Sequence, residues 1–447
     1  MIDIKIPQEV QLILKVLTAQ GYEAYVVGGC VRDSLLGKKP QDWDICTSAL
    51  PQEVKKAFNN LPVLETGLKH GTVTVMIDHK PYEVTTYRIE DQYSDNRHPD
   101  KVEFVKDLEQ DLARRDFTIN AMAYNPKSGL VDCFNGLADL DNKIIRCVGK
   151  AEERFLEDGL RILRAIRFAS TYNFKIERAT TEAIYSKKNL LANLAGERIQ
   201  IELDKLLCGS GVKEILHQFA EVLAVIIPEI WPMLGFEQNN PHHIYDLWTH
   251  TIESVAQAPP QLVLRLTMLL HDLGKPDCYT VDEKGIGHFY GHSKISAEKA
   301  KDILQRLKYD RATIDTVLTL VANHDLDLLP QKKYLKSLLN KIGIENFRLL
   351  LEVQKADNKA KHPEVKKECL EKIREMEGLL EEIIRQEECF TLKDLAVNGQ
   401  DLLELGMKQG PEVGTILNFL LQQVIEERVG NSKEKLLLLA QNYVKTE

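Results

Sequence analysis

Several features that mark whole classes of protein are missing from this sequence. Its eight cysteines are scattered, and no two of them have the C-x-x-C spacing, so the sequence indicates neither a zinc site of that kind nor a disulfide framework. No long uncharged apolar run occurs, and residues 1–20 are interrupted by charges and a proline, which argues against a signal peptide or a membrane span. We therefore expect a reduced, cytoplasmic setting and no membrane partner.

An excess of basic residues is missing as well. The chain has 58 lysines and arginines against 67 aspartates and glutamates, which gives a net charge of −9. This balance argues against a protein whose whole surface coats nucleic acid, although it is compatible with a local basic strip. With 447 residues, 44% of them hydrophobic and 28% charged, the chain is predicted to fold into several globular domains.

The secondary-structure signals change near residue 150. Before it, apolar residues at helical spacing over 8–20 lead into a strand at 25–27, and further strands are expected at "WDICT", "TVTVMI" and "YEVTTYR". The last two are separated by a hairpin turn at 78–81. From Glu152 onward helical periods continue to the C-terminus, with boundaries expected near residue 230 and in the lysine-rich break at 355–367. The sequence therefore predicts an α+β head followed by an all-α body.

One stretch, "VVGGCVRDSLLGKKPQDWDICT", gathers glycines, an arginine and two aspartates. Asp42 and Asp44 are two residues apart, so on a strand their carboxylates share one face. Such a pair is a typical ligand set for two Mg²⁺ ions in an in-line displacement at phosphorus. Gly28 and Gly29 would let the backbone approach a triphosphate, and Arg32 would supply a charged donor. A lone Gly-Gly or D-x-D is common, but the two in this order are far more specific.

This stretch resembles the signature of the class II tRNA nucleotidyltransferases, the CCA-adding enzymes, and of the related bacterial poly(A) polymerases. Both belong to the DNA polymerase beta-type nucleotidyltransferase superfamily. The resemblance continues in the same order through "RRDFTINAMAY", "VDCFNGLADLDNKIIRCVG", "EDGLRILRAIRFA" and "GERIQIELDKLL", and it extends to the tail that begins at Leu395. It therefore covers essentially the whole chain and implies a mixed-sheet, DNA polymerase beta-like head with a helical body.

The resemblance also implies how the chain is divided. We expect a catalytic nucleotidyltransferase head at 1–150 and a helical neck for base templating and RNA binding at 151–230. An HD-type helical domain would follow at 231–345, and a helical C-terminal body that binds tRNA at 346–447.

In "EDGLRILRAIRFA" the polar residues Asp158, Arg161, Arg164 and Arg167 recur every third position beside an apolar row. On a helix these are two adjoining stripes. The resemblance implies that this helix is the protein template, in which Asp158 and Arg161 read the incoming base. Ionised Asp only accepts and Arg only donates, which fits the amine and ring nitrogen of cytosine and adenine but not uracil or guanine. Arg164 and Arg167 would face phosphates or brace the template.

Three further expectations concern the head. The resemblance implies that Arg115 is another nucleotide-binding arginine. Glu83 is expected to add a third carboxylate from a neighbouring antiparallel strand. The polar connection at 89–104 is predicted to be a mobile loop; in the resembled family this loop helps to switch the site from C to A addition, and its full length here favours A addition.

A second set of chemically active residues lies in the middle helices. The His-Asp pair of "MLLHDLGK", together with an earlier His and a later His-Asp pair, resembles the HD phosphohydrolase superfamily. This implies a metal held by His250, His271, Asp272 and Asp325, with His292 and His324 as partners for a second ion or a phosphate. Such ligands suit divalent transition metals and leave positions open for water. In the resembled family some members use this domain for phosphohydrolase chemistry and others carry a remnant.

The sequence thus predicts a CTP(ATP):tRNA nucleotidyltransferase that adds or repairs the 3′-terminal CCA, with Mg²⁺ as cofactor, CTP and ATP as substrates and the tRNA acceptor arm as partner. The alternatives are the A-adding or CC-adding half of a split system, a poly(A) polymerase, and an HD-type metal phosphohydrolase acting on RNA ends. Candidates for RNA contact are basic residues beyond the template helix, namely Lys175, Arg178, Lys187, Lys188, Arg198, Lys355, Lys359, Lys361, Lys366 and Lys367.

Overall fold

The computed structural model describes residues 2–91, 101–241 and 243–446. The chain divides into two compact units, Met1–Pro228 and Glu229–Glu447. Within the described chain, no helix combines the length and the apolar character needed to cross a membrane. The finer division into four parts stays a prediction.

The N-terminal unit contains a seven-stranded mixed sheet with the order β3-β4-β5-β2-β1-β8-β9, and two further two-stranded pairs, β6-β7 and β10-β11. Within the large sheet only β2 and β5 pair in parallel. The strands are β1 Ala24–Val27, β2 Ile45–Thr47, β3 Val63–Gly67, β4 Thr72–Ile77, β5 Lys80–Thr86, β6 Arg88–Asp91, β7 Lys101–Phe104, β8 Ala123–Asn125, β9 Gly129–Val131, β10 Ile144–Ile145 and β11 Lys175–Ile176.

Helices flank this sheet and then continue without it. They are α1 Gln8–Ala19, α2 Gly29–Leu35, α3 Pro51–Ala57, α4 Leu108–Ala113, α5 Gly136–Asp141, α6 Ala151–Glu157, α7 Leu160–Tyr172, α8 Arg178–Lys187, α9 Gly196–Leu207, α10 Val212–Gln218 and α11 Ala220–Ile226. Short 3₁₀ turns occur at Leu68–His70, Thr118–Asn120, Lys188–Asn193 and Pro228–Met233. The predicted class, a mixed α/β head followed by helices, is confirmed.

The hairpin predicted between the fourth and fifth strands is confirmed. Ile77 pairs with Lys80, so the turn is only Asp78 and His79, both with positive φ (48° and 61°). Positive φ at both central residues twists the chain in the sense that the flanking strands require.

In the described residues of the C-terminal unit, the regular structure is helical apart from one small hairpin, β12 Thr280–Val281 with β13 Gly287–His288. Its helices are α12 Leu247–Gln257, α13 Leu262–Leu270, α14 Lys275–Cys278, α15 His292–Arg306, α16 Arg311–Asn323, α17 Lys332–Ile342, α18 Ile344–Lys359, α19 Pro363–Arg385, α20 Gly399–Glu404, α21 Pro411–Ile425 and α22 Lys433–Thr446, with a 3₁₀ turn at Leu392–Asp394. Helices α12, α13, α16 and α18 pack on one another, and α20 to α22 close a separate apolar cluster around Leu402, Leu420 and Leu436.

Candidate functional site

The glycine pair lies where β1 turns into α2. Gly28 has φ 80° and ψ −127°, a backbone region that only glycine adopts readily. Its N–H donates to the carbonyl of Met122 at 3.1 Å, and an added Cβ would lie 3.0 Å from Nη1 of Arg115. The absence of a side chain therefore lets Arg115 approach the end of β1, where Gly29 begins α2.

Asp42 and Asp44 lie immediately before β2 rather than within it. The sheet pairing nevertheless reaches Asp44, because its carbonyl accepts a hydrogen bond from the Val27 N–H at 3.0 Å. Desolvation raises the pKa of the Asp44 carboxyl, Arg115 lowers it and Asp42 raises it. The two carboxylates and Arg115 are therefore close enough to interact electrostatically.

Glu83 is brought to the same place by strand pairing. Ile45 is in register with Val84 across the β2–β5 pair, so Asp44 and Glu83 hold neighbouring positions one residue earlier. The expected antiparallel neighbour is corrected by this register, because β2 and β5 run parallel. The role of Glu83 as a third carboxylate of the site stays a prediction.

Arg32 is buried, with 6% of its surface exposed. Its Nε donates to Asp33 at 2.9 Å, Nη1 donates to the Asn120 side chain, and the guanidinium lies 5.0 Å from the ring centroid of Phe168 and 4.9 Å from that of Tyr172. Both rings belong to α7, so this arginine joins the glycine turn to the helix that carries the predicted template.

Arg114 and Arg115 link the sheet to that helix from the other side. Both guanidinium groups approach the buried carboxylate of Asp111, at 2.9 Å and 3.4 Å. Nη2 of Arg161 donates to the carbonyl of Arg114 at 3.1 Å. Arg114 therefore contacts Arg161, a predicted template residue, and the neighbouring Arg115 interacts electrostatically with Asp44.

The predicted template helix is interrupted at its start. Helix α6 ends at Glu157, Asp158 has an extended backbone (φ −143°, ψ 107°), and α7 begins only at Leu160. The Asp158 carboxylate accepts the Leu160 N–H at 3.0 Å and Nη2 of Arg198 at 2.8 Å. The expectation of one continuous helix is corrected. A new helix begins after Gly159, and the Asp158 carboxylate accepts the first N–H of that helix.

Arg161, Arg164 and Arg167 do lie along α7. Arg161 donates to Glu157 at 2.5 Å, Arg164 pairs with Asp116 at 2.6 Å, and Arg167 pairs with Glu202 at 2.7 Å.

Asp116 joins this row of arginines to Arg32. Its second oxygen accepts from the Asn120 amide at 3.0 Å, and Asn120 in turn accepts from Arg32. Burial raises the pKa of Asp116, but Arg164 and Asn120 outweigh it and lower the pKa. Sequence reasoning missed Asp116, Asn120 and Glu202, although the first two lie in the quoted "RRDFTINAMAY" block and Glu202 lies in "GERIQIELDKLL".

Two further expectations concern the predicted mobile loop of the head and the basic residues expected to contact RNA. Residues 92–100 of the predicted mobile loop lie outside the described residues; the ends of this connection form the β6–β7 pair. Five of the residues expected to contact RNA make ion pairs within the protein, namely Arg178, Lys188, Arg198, Lys355 and Lys361. Their contact with RNA stays a prediction.

A second candidate site lies in the C-terminal unit, where buried histidines surround Asp272. One carboxylate oxygen of Asp272 lies 3.6 Å from Nε2 of His250 and 3.2 Å from Nε2 of His271. The other lies 3.4 Å from Nε2 of His292 and 3.6 Å from Nε2 of His324. Within the described residues, two groups of potential metal ligands therefore share this carboxylate, His250–His271–Asp272 and Asp272–His292–His324.

The imidazole rings are oriented by backbone carbonyls. Nδ1 of His271, His292 and His324 lies 2.7 Å, 2.8 Å and 2.7 Å from the carbonyls of Met268, Phe289 and Val321. In the neutral ring, which is the form that binds a metal, an N–H donated to a carbonyl fixes the tautomer and leaves Nε2 with a lone pair. All these lone pairs are directed toward Asp272.

Asp325, expected to complete the ligand set, lies outside these groups. Its carboxylate approaches Nδ1 of His292 at 3.9 Å, whereas Asp357 on α18 lies 2.9 Å from Nε2 of His250 and 3.6 Å from Nε2 of His271. The expectation for Asp325 is corrected because it follows the end of α16, while α18 packs against α12 and α13. The lysine-rich sequence around Asp357 suggested only a break and gave no metal-ligand signal.

The donor set fits divalent metal ions. Among the described residues, Nε2 of His271 and both oxygens of Asp272 are buried without a well-formed hydrogen bond, although Nζ of Lys275 approaches Asp272 at 2.8 Å. Burial lowers the pKa of His271, but Asp272 and Asp357 outweigh it and raise the pKa to about 9. Burial raises the pKa of Asp272, yet His271 and Lys275 hold it well below its usual range.

The fold and the acidic pair beside a glycine turn define a nucleotidyltransferase. Residues 24–146 match the family described as "Poly A polymerase head domain". Residues 173–234 match "Probable RNA and SrmB- binding site of polymerase A", and residues 281–440 match "tRNA nucleotidyltransferase domain 2 putative". Enzymes of this class are metal-dependent.

Similarity to individual proteins shows to which family of nucleotidyltransferases the chain belongs. The CCA-adding enzyme of Lactobacillus delbrueckii subsp. bulgaricus is 35% identical over 94% of this chain and 94% of its own length, and that of Streptococcus thermophilus is 34% identical over 98% of each. The solved structure of the Bacillus stearothermophilus CCA-adding enzyme in complex with CTP covers 98% of both chains at 31% identity and a TM-score of 0.72. The chain belongs to the family of CCA-adding enzymes.

Proposed function

We propose that this nucleotidyltransferase adds C, C and A to the 3′ end of tRNA from CTP and ATP, with the reaction centred on Asp42 and Asp44. The contact that supports this best is made by the Arg114–Arg115 dipeptide. Arg161 donates to the Arg114 carbonyl, and Arg115 acts on the charge of Asp44. A base held at Arg161 would therefore belong to a nucleotide whose phosphates reach the acidic pair.

Two Mg²⁺ ions, when bound, would stabilise the attacking 3′-oxygen and the departing pyrophosphate. Asp42 and Asp44 would hold them, with Glu83 in the adjacent register position. The Gly28–Gly29 backbone would admit the triphosphate, and Arg32 and Arg115 would balance its charge.

Base selection would rest on Asp158 and Arg161. Asp158 accepts from the exocyclic amine of cytosine or adenine, and Arg161 donates to the ring nitrogen beside it. With uracil or guanine both contacts are mismatched. Each buried unpaired group costs about 1–3 kcal/mol, so two of them give a discrimination of roughly 30-fold to 10⁴-fold. Arg164 and Arg167 would brace the template through Asp116 and Glu202, and exposed lysines of the neck and C-terminal body would meet the acceptor arm.

The test is incorporation of labelled CTP, ATP, UTP and GTP with Mg²⁺ onto three tRNA transcripts that end before CCA, after C and after CC. We expect C, C and A in order, no U or G, and no incorporation by Asp42→Asn. Addition of A only to the CC-ended tRNA, or of CC only, would identify half of a split system. Long A tails on any RNA would identify a poly(A) polymerase, and no incorporation by the unaltered protein would refute the proposal.

We also propose a second activity, hydrolysis of phosphate esters by the cluster around Asp272. The observation that favours it is the set of imidazole nitrogens directed at one shared, buried carboxylate. His250, His271, Asp272 and Asp357 would hold one divalent ion, and His292 and His324 a second beside it. Bound ions would supply an activated water. The reaction supplied there would be hydrolysis, in which the oxygen of water would bond to phosphorus, the ester P–O bond would break, and the alcohol would leave with a proton from that water.

A further inference from the structure

Tyr290 is the most exposed large hydrophobic side chain of the described residues, at 79%. It follows the β12–β13 hairpin and precedes Gly291, which has φ 78°, and His292 of the cluster. A tyrosine that packs against nothing in a core needs no fixed orientation. Here the ring makes specific contacts with a neighbouring side chain, and these set it apart from a freely solvated residue.

The ring is held by a short chain of contacts. Tyr290 stacks on His288 with centroids 5.3 Å apart and planes within 7°, and its hydroxyl is 3.4 Å from Nδ1 of His288. Nε2 of His288 lies 3.1 Å from Asp282, whose carboxylate accepts the N–H groups of Lys284 and Ile286 at 2.9 Å each. The aromatic surface is therefore oriented before any ligand arrives, which lowers the entropic cost of binding.

Tyr290 and the histidine cluster line one cavity. Its volume is about 290 Å³, and its walls include Asp272, His292, His324 and Asp357. The ammonium groups of Lys275 and Lys361 are in the same wall, each beside a buried carboxylate. The cavity therefore contains the exposed aromatic ring together with the potential metal ligands and two lysines. Its size is near the lower limit of ligand pockets.

We propose that the His288–Tyr290 pair is a stacking platform for a nucleobase, which selects a terminal nucleoside that carries a phosphate ester. The inference rests on the proposed phosphohydrolase function, whose substrate class it specifies. Every base presents a π face, so an aromatic platform binds without sequence preference, and removal of one such ring weakens binding by about 5- to 150-fold.

The first experiment measures binding without turnover. Full-length protein freed of metal is titrated with 2-aminopurine riboside 5′-monophosphate, whose fluorescence is quenched on stacking, and with a short RNA that ends in the same nucleotide. Tyr290→Ala should weaken binding about 5- to 150-fold, whereas Tyr290→Phe, which keeps the ring, should retain it. Trp231→Ala is the matched control, because Trp231 is an exposed aromatic (47%) outside this cavity. Loss of affinity in Tyr290→Ala for the mononucleotide alone identifies a free nucleotide as the ligand of the platform, and loss of affinity for the RNA identifies a strand end. Binding at the head is the same in both proteins and cancels in this comparison.

The second experiment uses the Mn²⁺-loaded protein and measures released phosphate from adenosine 2′-monophosphate and from glycerol 2-phosphate, which has no base. Tyr290→Ala should lower the kcat/KM for adenosine 2′-monophosphate relative to that for glycerol 2-phosphate, and Trp231→Ala should leave this ratio unchanged. An equal effect of Tyr290→Ala on both substrates, or unchanged probe binding, would overturn the platform. If the unaltered protein hydrolyses neither substrate, the phosphohydrolase function fails, and the metal-free titration still decides whether the platform exists.

Discussion

At the scale of single residues, the predicted template groups are held by neighbours that the motif does not include. Arg198, from α9, binds one oxygen of Asp158, while the Leu160 N–H occupies the other. Charge-assisted hydrogen bonds of this kind fix an acceptor more firmly than neutral ones. The direction in which Asp158 presents its remaining lone pairs therefore depends on an arginine 40 residues away in the chain.

We predict that Arg198→Met lowers the preference for CTP over UTP by about tenfold. The charged hydrogen bond that holds the Asp158 carboxylate in place contributes roughly 1.5–3 kcal/mol, and this variant removes it. The measurement is kcat/KM for both nucleotides on tRNA lacking CCA. Arg178→Met is the matched control, since Arg178 is 92% exposed and pairs with Glu182 on its own helix. An unchanged CTP/UTP ratio in Arg198→Met would show that Asp158 is oriented without it.

At the scale of elements, close approach between helices and their connections positions the template. Gly209, in the connection after α9, has no room for a side chain, because an added Cβ would lie 2.2 Å from Oγ of Ser170 and 2.5 Å from its backbone carbon. Ser170 belongs to α7, so this contact fixes the end of the helix that carries Arg161. Gly378, on α19, is exposed, and a Cβ added there would meet nothing within 4 Å.

We predict opposite effects of alanine at these two glycines. Gly209→Ala should destabilise the protein by about 1–3 kcal/mol, as overpacking against backbone does, whereas Gly378→Ala should stabilise it by about 0.5–1 kcal/mol through helix propensity. Urea unfolding followed by circular dichroism measures both. If Gly209→Ala unfolds at the same urea concentration as the unaltered protein, the close packing of this connection on α7 is not maintained in solution.

At the scale of the whole molecule, the two candidate sites belong to different compact units. The acidic pair and the template residues lie in Met1–Pro228, and the cluster around Asp272 lies in Glu229–Glu447. Each site is assembled from side chains of its own unit. Nucleotide addition and phosphate-ester hydrolysis should therefore be separable by single substitutions.

We predict that Asp42→Asn abolishes nucleotide addition yet keeps the rise in Tm that Mn²⁺ produces. Asp357→Asn should keep nucleotide addition and lose the share of the Mn²⁺ effect that Asp42→Asn keeps, because the acidic pair of the head also binds divalent ions. For a metal at 100 times its Kd this share is a stabilisation of about 2.7 kcal/mol. Asp325→Asn is the control that separates the two aspartates, and it should keep both properties. Loss of the Mn²⁺ effect in Asp325→Asn but not in Asp357→Asn would return the ligand role to Asp325.

The sequence by itself determined the class and the local motifs. The glycine turn, the D-x-D pair, the arginine row of α7 and the His271–Asp272 pair are readable because residues a few positions apart have a relation set by the backbone. The break at Asp158–Gly159 was missed, because a short acid before glycine is compatible with a helix interior as well as with a cap.

Only the tertiary structure decided the partners that come from distant parts of the chain. Asp357 lies 107 residues from His250, Glu202 lies 35 from Arg167, and Asp116 lies 48 from Arg164. Asp325 had the better local signal, since it follows a histidine after an apolar helix. The packing of α18 against α12 and α13 nevertheless places Asp357 at the cluster, because contacts between helices depend on how their buried faces fit and not on spacing along the chain.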